Sequence, residues 1–509
     1  MPEIPRPAPA PVTLGTVLTG VPAQPLDAAT SGTVVTGVSL DSRNVHPGDL
    51  YAALPGRLTH GARFAADAVA AGAVAILTDP VGASACEGLG VPVVVFPDPR
   101  SRLGDIAALV YGSPGSALQS LAVTGTNGKT TVAAMVESAL DRAGRTTGSI
   151  GTVGVRIAGH RFAGVRTTPE ATDLQAMLGL MRDSGVETVV MEVSSIALDE
   201  HRVDGVVFDV AAFTNLTQDH LDYHGTMEQY FQSKAALFTP TRSRLGVIGT
   251  DDEWGRRLVE QATVPTRSWS LLDPRADWHA VREGSDVWVA GPDGQRAELR
   301  VPMPGAFNVA NAVCAVAILD AVGVTTQEAV AGIAEVTVPG RMEVAGDAGG
   351  VRGIVDYAHT PDAVDRVLRA ARDITDGALI VVLGAGGDRD QAKRPEMGRI
   401  ASRLADVFVI TDDNPRSEDP ATIRRQLREG ALDVAPAERA EVLEVGDRAD
   451  AVTVAVDRAE SGDVVMVLGK GHEQGQEVAG LVTPFDDRSA LRDALVRRWP
   501  ERRPGEPRS

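Results

Sequence analysis

The sequence predicts an α/β chain of parallel sheets divided into three units, on three observations. Short runs rich in Val and Ile recur, most of them running into Gly, Asn or Asp: residues 91–96, 121–125, 188–194, 206–215, 378–384, 406–411 and 463–469. Helix-length patterns follow these runs, and such alternation points to βαβ units and parallel sheets. Strands buried on both faces read as continuous apolar runs, as these do. A length of 509 residues gives a soft expectation of three domains at about 150 residues each.

Two loop-forming segments set the expected boundaries. Residues 111–116 (YGSPGS) precede the strand with the first strong motif, and residues 338–341 (VPGR) follow an Ala-rich helix over about 308–322. The expected units are therefore 1–116, 117–338 and 339–509. Ligands in such folds sit beyond the carboxyl ends of the strands, so the residues just after each run are where chemistry is expected.

Composition narrows the function. A net charge of −19 argues against a protein that coats nucleic acid, and 43% apolar with 23% charged residues fits an ordinary globular chain. Cys86 and Cys314 form no CxxC pair, which excludes a disulfide framework and a cysteine-based zinc site. The start, MPEIPRPAPAPV, has no basic cluster and no apolar core, so it does not read as a signal peptide. No run of 18 apolar residues exists to cross a membrane. The expectation is a cytoplasmic protein with no nucleic-acid partner and no membrane insertion, and the sequence names no protein partner. The Arg- and Pro-rich tail from Arg497 is expected to be solvated and frayed.

The sharpest motif is LAVTGTNGKTT over residues 121–131, an apolar strand, a Gly-containing turn, then a helical pattern stopped by Gly144. It reads as a phosphate-binding loop of the compressed form GxxGKT, since Val123 stands where the longer pattern has Gly. Gly125 and Gly128 let backbone approach phosphate, with Thr126, Asn127 and Thr131 completing the loop. Lys129 would reach the β- and γ-phosphates and the Thr130 hydroxyl would ligate Mg²⁺. Glu192, ending the next strand, is placed to hold the same ion. The following loop, TQDHLDYH over 217–224, carries His220 and His224 with two aspartates but no thiolate, so a second Mg²⁺ or a phosphate contact is the better reading than zinc. A dinucleotide fingerprint at Gly384 fails, because Arg389 stands where its last Gly would be.

These motifs occur in one order with SLDSR (39–43), EVSS (192–195), YFQSKAALF (230–238), GAFNVANA (305–312), PGRME (339–343), DYAHTPD (356–362), DNPR (413–416) and GKGHE (469–473). Together they resemble the Mur ligases, most closely those that add the third residue of the peptidoglycan stem peptide. The resemblance implies a UDP-substrate-binding N-terminal domain, a central P-loop ATPase domain and a C-terminal Rossmann-like domain for the incoming amino acid. It implies ATP-dependent activation of a carboxylate as an acyl phosphate, then attack by an amine. The substrates implied are UDP-MurNAc-L-Ala-D-Glu and meso-diaminopimelate, with ATP and Mg²⁺.

Carried over by motif, Lys129, Thr130, Glu192 and His220 would bind phosphates and metal. Lys234 stands where these ligases carry a carbamylated lysine, whose −1 carbamate can ligate Mg²⁺. Asn308, Arg341 and Asp356 match nucleotide contacts. Leu40, Ser42, Arg57, Leu58 and Thr59 match the uridine side. Thr167, Thr168, Ser194, Glu200 and Arg202 match the muramyl-dipeptide arm. Two positions depart from the family: Ile196 stands where a His is common, and Glu200 where a Gln is common. Arg389, Asp413, Asn414, Pro415, Arg416, Gly469 and Glu473 match the amino-acid pocket, Glu473 toward an ammonium of the substrate. Arg416 discriminates: a guanidinium grips the distal carboxylate of diaminopimelate and would repel the ammonium of L-lysine, the nearest rival substrate. Folate polyglutamate ligases share the GTNGKT loop but do not account for SLDSR or DNPR. A nucleotide-dependent regulator without ligase chemistry leaves GKGHE and DNPR unexplained.

Overall fold

The computed structural model describes residues 4–19, 27–56, 59–164 and 166–500. Each of the seven apolar runs holds a strand, in order Val93–Val95, Gln119–Thr124, Thr188–Glu192, Val210–Phe213, Leu379–Leu383, Val407–Ile410 and Val464–Leu468. All seven pair in parallel, as double-faced burial requires.

The strands gather into three main sheets. Gly37–Ser39, Asp49–Ala53, Ala75–Thr78 and Val93–Val95 form a parallel four-stranded sheet. Eleven strands over residues 154–298 and 119–151 form the second, centred on the parallel order Thr147–Gly151, Thr188–Glu192, Gln119–Thr124, Val210–Phe213, Gly246–Gly249. The third runs Glu343–Ala348, Val351–Asp356, Val464–Leu468, Leu379–Leu383, Val407–Ile410, Glu441–Glu444 and is parallel apart from its first strand.

The helix Ala306–Ala321 is apolar on nearly every side and buried from Asn311 to Leu319. It packs against the helix Lys129–Arg142 and against the central sheet. One cluster of buried side chains runs from Val132 and Met135 through this helix to Leu368 and Leu383, so the second and third sheets share a core. At the N-terminus Ile4 packs on the central core and Arg6 pairs with Asp49 at 2.5 Å.

Two expectations need correction. The tail is not frayed from Arg497: the helix Asp487–Arg498 includes Arg497 and Arg498, and Trp499 packs against the third sheet's core. Leu491, Ala494 and Leu495 supply an apolar stripe at helical spacing that the charge-rich tail conceals. The antiparallel strands Gly154–Ile157, His160–Phe162, Asp286–Ala290 and Arg296–Glu298 at the two margins of the second sheet depart from the expected parallel pattern; they are short, and only the first is mostly buried, so no continuous apolar run marks them. Among the described residues, no helix is long and apolar enough to cross a membrane.

Candidate active site

The GTNGKT loop follows Gln119–Thr124 and opens the helix Lys129–Arg142, which has no side-chain N-cap. Its first N–H groups are therefore left for an anion. Gly125 (φ 143°) and Gly128 (φ 89°) take backbone conformations closed to most L-residues, and a Cβ there would meet Thr214 Oγ1 at 1.9 Å and Asn311 Oδ1 at 2.3 Å. The neighbouring strand end braces the loop. Thr214 Oγ1 and Asn215 Nδ2 donate to the Asn127 carbonyl at 2.6 and 3.1 Å, and Asn127 N donates to Asn215 Oδ1 at 3.0 Å. Thr126 Oγ1 shares a bond with the Tyr230 hydroxyl at 3.1 Å.

Charge is concentrated here. Lys129 Nζ donates to the Gly125 and Thr126 carbonyls at 3.0 and 2.9 Å, and Lys234 Nζ to the same Gly125 carbonyl at 2.9 Å. Burial lowers both ammonium pKa values, Lys234 well below the usual range with Lys129 adding repulsion. Glu192, 1% exposed, accepts from Thr130 Oγ1 at 3.0 Å and from Thr152 N and Oγ1 at 2.8 and 3.1 Å. Arg341 lies over the Tyr357 ring at 4.5 Å and donates to Thr130 Oγ1 at 3.1 Å. Asp356 accepts from Met342 N and Ala358 N, so it shapes the turn carrying Arg341. Asn308 is buried and donates to the Pro304 carbonyl at 2.8 Å.

The two histidines of TQDHLDYH part company. His220 has φ 52° and lies 3.3 Å from Asp219. Burial lowers its pKa, opposed by Asp219 and reinforced by Lys129 and Lys234. His224 is buried, meets Ser195 Oγ at 2.9 Å and stacks on Tyr230 at 4.9 Å, which makes it part of the packing.

At the ends of the third sheet's strands, DNPR and GKGHE meet. Lys470, fully buried, donates to Asn414 Oδ1 at 2.8 Å, Glu473 Oε2 at 3.2 Å and Asp413 Oδ1 at 3.4 Å. Asn414 Nδ2 also donates to Glu473 Oε2 at 2.8 Å. One oxygen of the carboxylate expected to meet a substrate ammonium is thus already held by the chain's own lysine. Arg416 Nη1 donates to the Gly387 carbonyl at 2.7 Å, and Arg389 is exposed. Pro415 and Gly469 are buried in the same loops.

The residues expected to meet the remaining substrate fall in two places. Thr168 Oγ1 donates to the Glu192 carbonyl and accepts from Ser194 N, and Thr167 shares a bond with Thr152, so this trio adjoins Glu192. Arg202 pairs with Glu170 at 3.1 Å and with Glu200. Leu40 and Ser42 follow the end of Gly37–Ser39 in the first sheet, and Thr59 is exposed nearby in sequence. Arg57 and Leu58 lie outside the described residues.

Four polar residues of the site escaped the sequence reading. Lys470 and His472 lie inside GKGHE and Glu170 follows Thr168 closely, so their motifs were the available signal. Thr152 carries none. It joins Glu192 to His472, whose Nε2 meets the Thr152 carbonyl at 3.0 Å.

Residues 34–111 match the model described as Mur ligase family, catalytic domain, residues 123–319 the Mur ligase middle domain, and residues 340–471 the Mur ligase, glutamate ligase domain. A Streptomyces coelicolor protein named UDP-N-acetylmuramoyl-L-alanyl-D-glutamate--2,6-diaminopimelate ligase is 53% identical over 468 residues, 91% of this chain and 92% of its own. A solved structure of a ligase with the same name is 31% identical with a TM-score of 0.66, covering 96% of this chain and 99% of that one. The folylpolyglutamate synthase of Mycobacterium tuberculosis, solved with ADP and AMPPCP, shares the fold at 20% identity and a TM-score of 0.59 over 73% of this chain and 92% of that one.

Proposed function

The chain belongs to the Mur ligase family, and from that premise we propose that it joins meso-diaminopimelate to the D-Glu carboxyl of UDP-MurNAc-L-Ala-D-Glu, using ATP. The observation that carries the substrate is the relative's printed name at 53% identity across nine-tenths of both chains. Arg416 in DNPR agrees with it and disfavours L-lysine. Residues 1–116, 117–338 and 339–509 would serve the UDP substrate, ATP and the amino acid in turn. We place the reaction in the cytoplasm.

The loop amides from Gly125 to Thr130 and Lys129 would hold the phosphates, with Arg341 adding positive charge from the third sheet. Glu192 and Thr130 offer the hard oxygen donors that Mg²⁺ takes, and they already lie within a hydrogen bond of each other. Lys234 as an amine does not fit a cation; as a carbamate it does. When bound, Mg²⁺ would neutralise charge on the phosphate oxygens. Thr167, Thr168, Ser194 and Arg202 would orient the acceptor carboxylate beside the γ-phosphate. Holding carboxylate and phosphate in line converts a bimolecular step to an effectively unimolecular one. Asp413, Asn414, Arg416 and Glu473 would then present the amine of diaminopimelate.

The test is phosphate release from ATP with UDP-MurNAc-L-Ala-D-Glu, comparing meso-diaminopimelate with L-lysine at equal concentration. Stimulation by diaminopimelate alone is expected. Stimulation by lysine would keep the ligase and overturn the substrate, and silence with both would favour the regulator.

A further inference from the structure

The hairpin Gly475–Val478 and Leu481–Pro484 stands apart from the three sheets and presents exposed Leu481 and Val482 at its turn. Its first strand runs along DNPR. Gln476 Nε2 donates to the Asp413 carbonyl at 2.8 Å, and Glu477 N to Asn414 Oδ1 at 3.0 Å. Arg416 N donates to the Glu477 carbonyl at 3.0 Å, and Ala479 N to the Arg416 carbonyl at 2.7 Å. These two bonds clamp Arg416 in a left-handed conformation, φ 52°, which a non-glycine residue keeps only where its surroundings impose it.

The side chains continue the pairing. Glu477 Oε2 lies 3.5 Å from Arg416 Nε, while Arg416 Nη1 is engaged by the Gly387 carbonyl. A guanidinium grips a carboxylate in two-pronged fashion along one edge of its fork. Nη1 is tied to main chain, and it is the Nε side of the fork that lies beside Glu477.

We propose that Glu477 is a specificity-determining positioning residue: its carboxylate occupies the edge of Arg416 that the distal carboxylate of the incoming amino acid takes, and that substrate must displace it. The inference rests on the assignment of Arg416 to diaminopimelate. An amino acid with a distal carboxylate exchanges one ion pair for another. One without it leaves Arg416 paired to Glu477 and gains nothing at this edge. The hairpin backbone holds Arg416 in place throughout, so the exchange involves side chains only.

The experiment is steady-state phosphate release with Glu477→Gln, Arg416→Ala and the double variant of the full chain, varying meso-diaminopimelate at saturating ATP and UDP-MurNAc-L-Ala-D-Glu. Glu477→Gln removes a half-exposed ion pair, so KM for diaminopimelate should fall about three- to fivefold. kcat and the KM values of the other two substrates should hold within about twofold. In the Arg416→Ala background the Glu477→Gln change should have no effect on KM. A KM for diaminopimelate that rises or stays level in Glu477→Gln, while Arg416→Ala raises it strongly, overturns this inference alone. An Arg416→Ala variant with unaltered KM and kcat overturns the assignment beneath it. A purely architectural Glu477 would move all three KM values together, or lower the melting temperature, and would also overturn the proposal.

Discussion

Two lysine side chains donate to one carbonyl oxygen, that of Gly125, and this fixes the chemistry available to Lys234. Burial comes first and the Lys129 charge second in pushing its pKa well down, with Asp219 and Asp199 only partly opposing. A neutral amine is the form that adds carbon dioxide, and the downward shift at Lys234 favours that form. Lys234→Ala should therefore lose most activity, regain part of it with millimolar short carboxylates, and leave ATP binding in place. Absence of rescue, with an unmodified Lys234 in the mass of the native protein, would count against a carbamate. Arg416 supports a second prediction at this scale. Arg416→Ala should weaken transition-state binding by roughly 2–5 kcal/mol with diaminopimelate, since it strips the partner from a desolvating carboxylate. A loss under about fivefold in kcat/KM would sink the assignment.

At the scale of elements, the phosphate-binding loop depends on positions that admit no side chain. Gly128→Ala would place a methyl 2.3 Å from Asn311 Oδ1 on the neighbouring helix and force φ 89° on a residue with a Cβ. The conformational part alone costs about 1–2 kcal/mol. The expected outcome is a lowered melting temperature together with lost ATP binding by calorimetry; Asn311→Ala in the same background should recover stability first. A Gly128→Ala protein that binds ATP normally would show the loop is not the phosphate cradle. This loop was legible in sequence because strand, turn and helix follow one another within eleven residues or so. The parallel strands were legible because burial on two faces leaves an uninterrupted apolar run such as Val464–Leu468. The hairpin that clamps Arg416 was not. Its strands, GQEV and LVTP, are half or wholly exposed, and what orders them is pairing to a distant segment. Lys470 was passed over for a related reason: a lysine in a glycine-rich motif looks solvated until two acidic side chains and an amide from DNPR and GKGHE are seen closing around it.

In the whole molecule the third unit touches the nucleotide site through a few polar contacts, one of them made by His472, and a second histidine, His359, sits close behind them. His472 meets the Thr152 carbonyl, Asn127 Nδ2 donates to Asp362 Oδ2 at 2.9 Å, and His359 is half-buried beside Tyr357. Burial pushes both histidines down to about 4, with Lys393 adding to it at His359 and Arg341 at His472. Unfolded, each titrates near 6.5, so between pH 6.5 and 4 the unfolded chain binds more protons than the folded one and stability falls as pH falls. By pH 5 each histidine should remove on the order of 2 kcal/mol relative to pH 8. The carboxylates held low, Glu228, Asp273 and Glu418 at about 2, withdraw their support only below about pH 4.5 and so cannot produce this early loss. His201 works the other way: Asp204 raises its pKa, so its contribution is fully present at low pH and fades as pH rises. His220 and His224, also held low by burial, add to this loss, while the buried carboxylates Asp173 and Asp356, held high by burial, work with His201 against it. Thermal melts of the nucleotide-free protein should therefore fall from pH 7 to pH 5, and His472→Gln should flatten part of that slope while adding the cost of a looser contact at Thr152. A melting temperature independent of pH over this range would mean that the fold does not hold these histidines neutral.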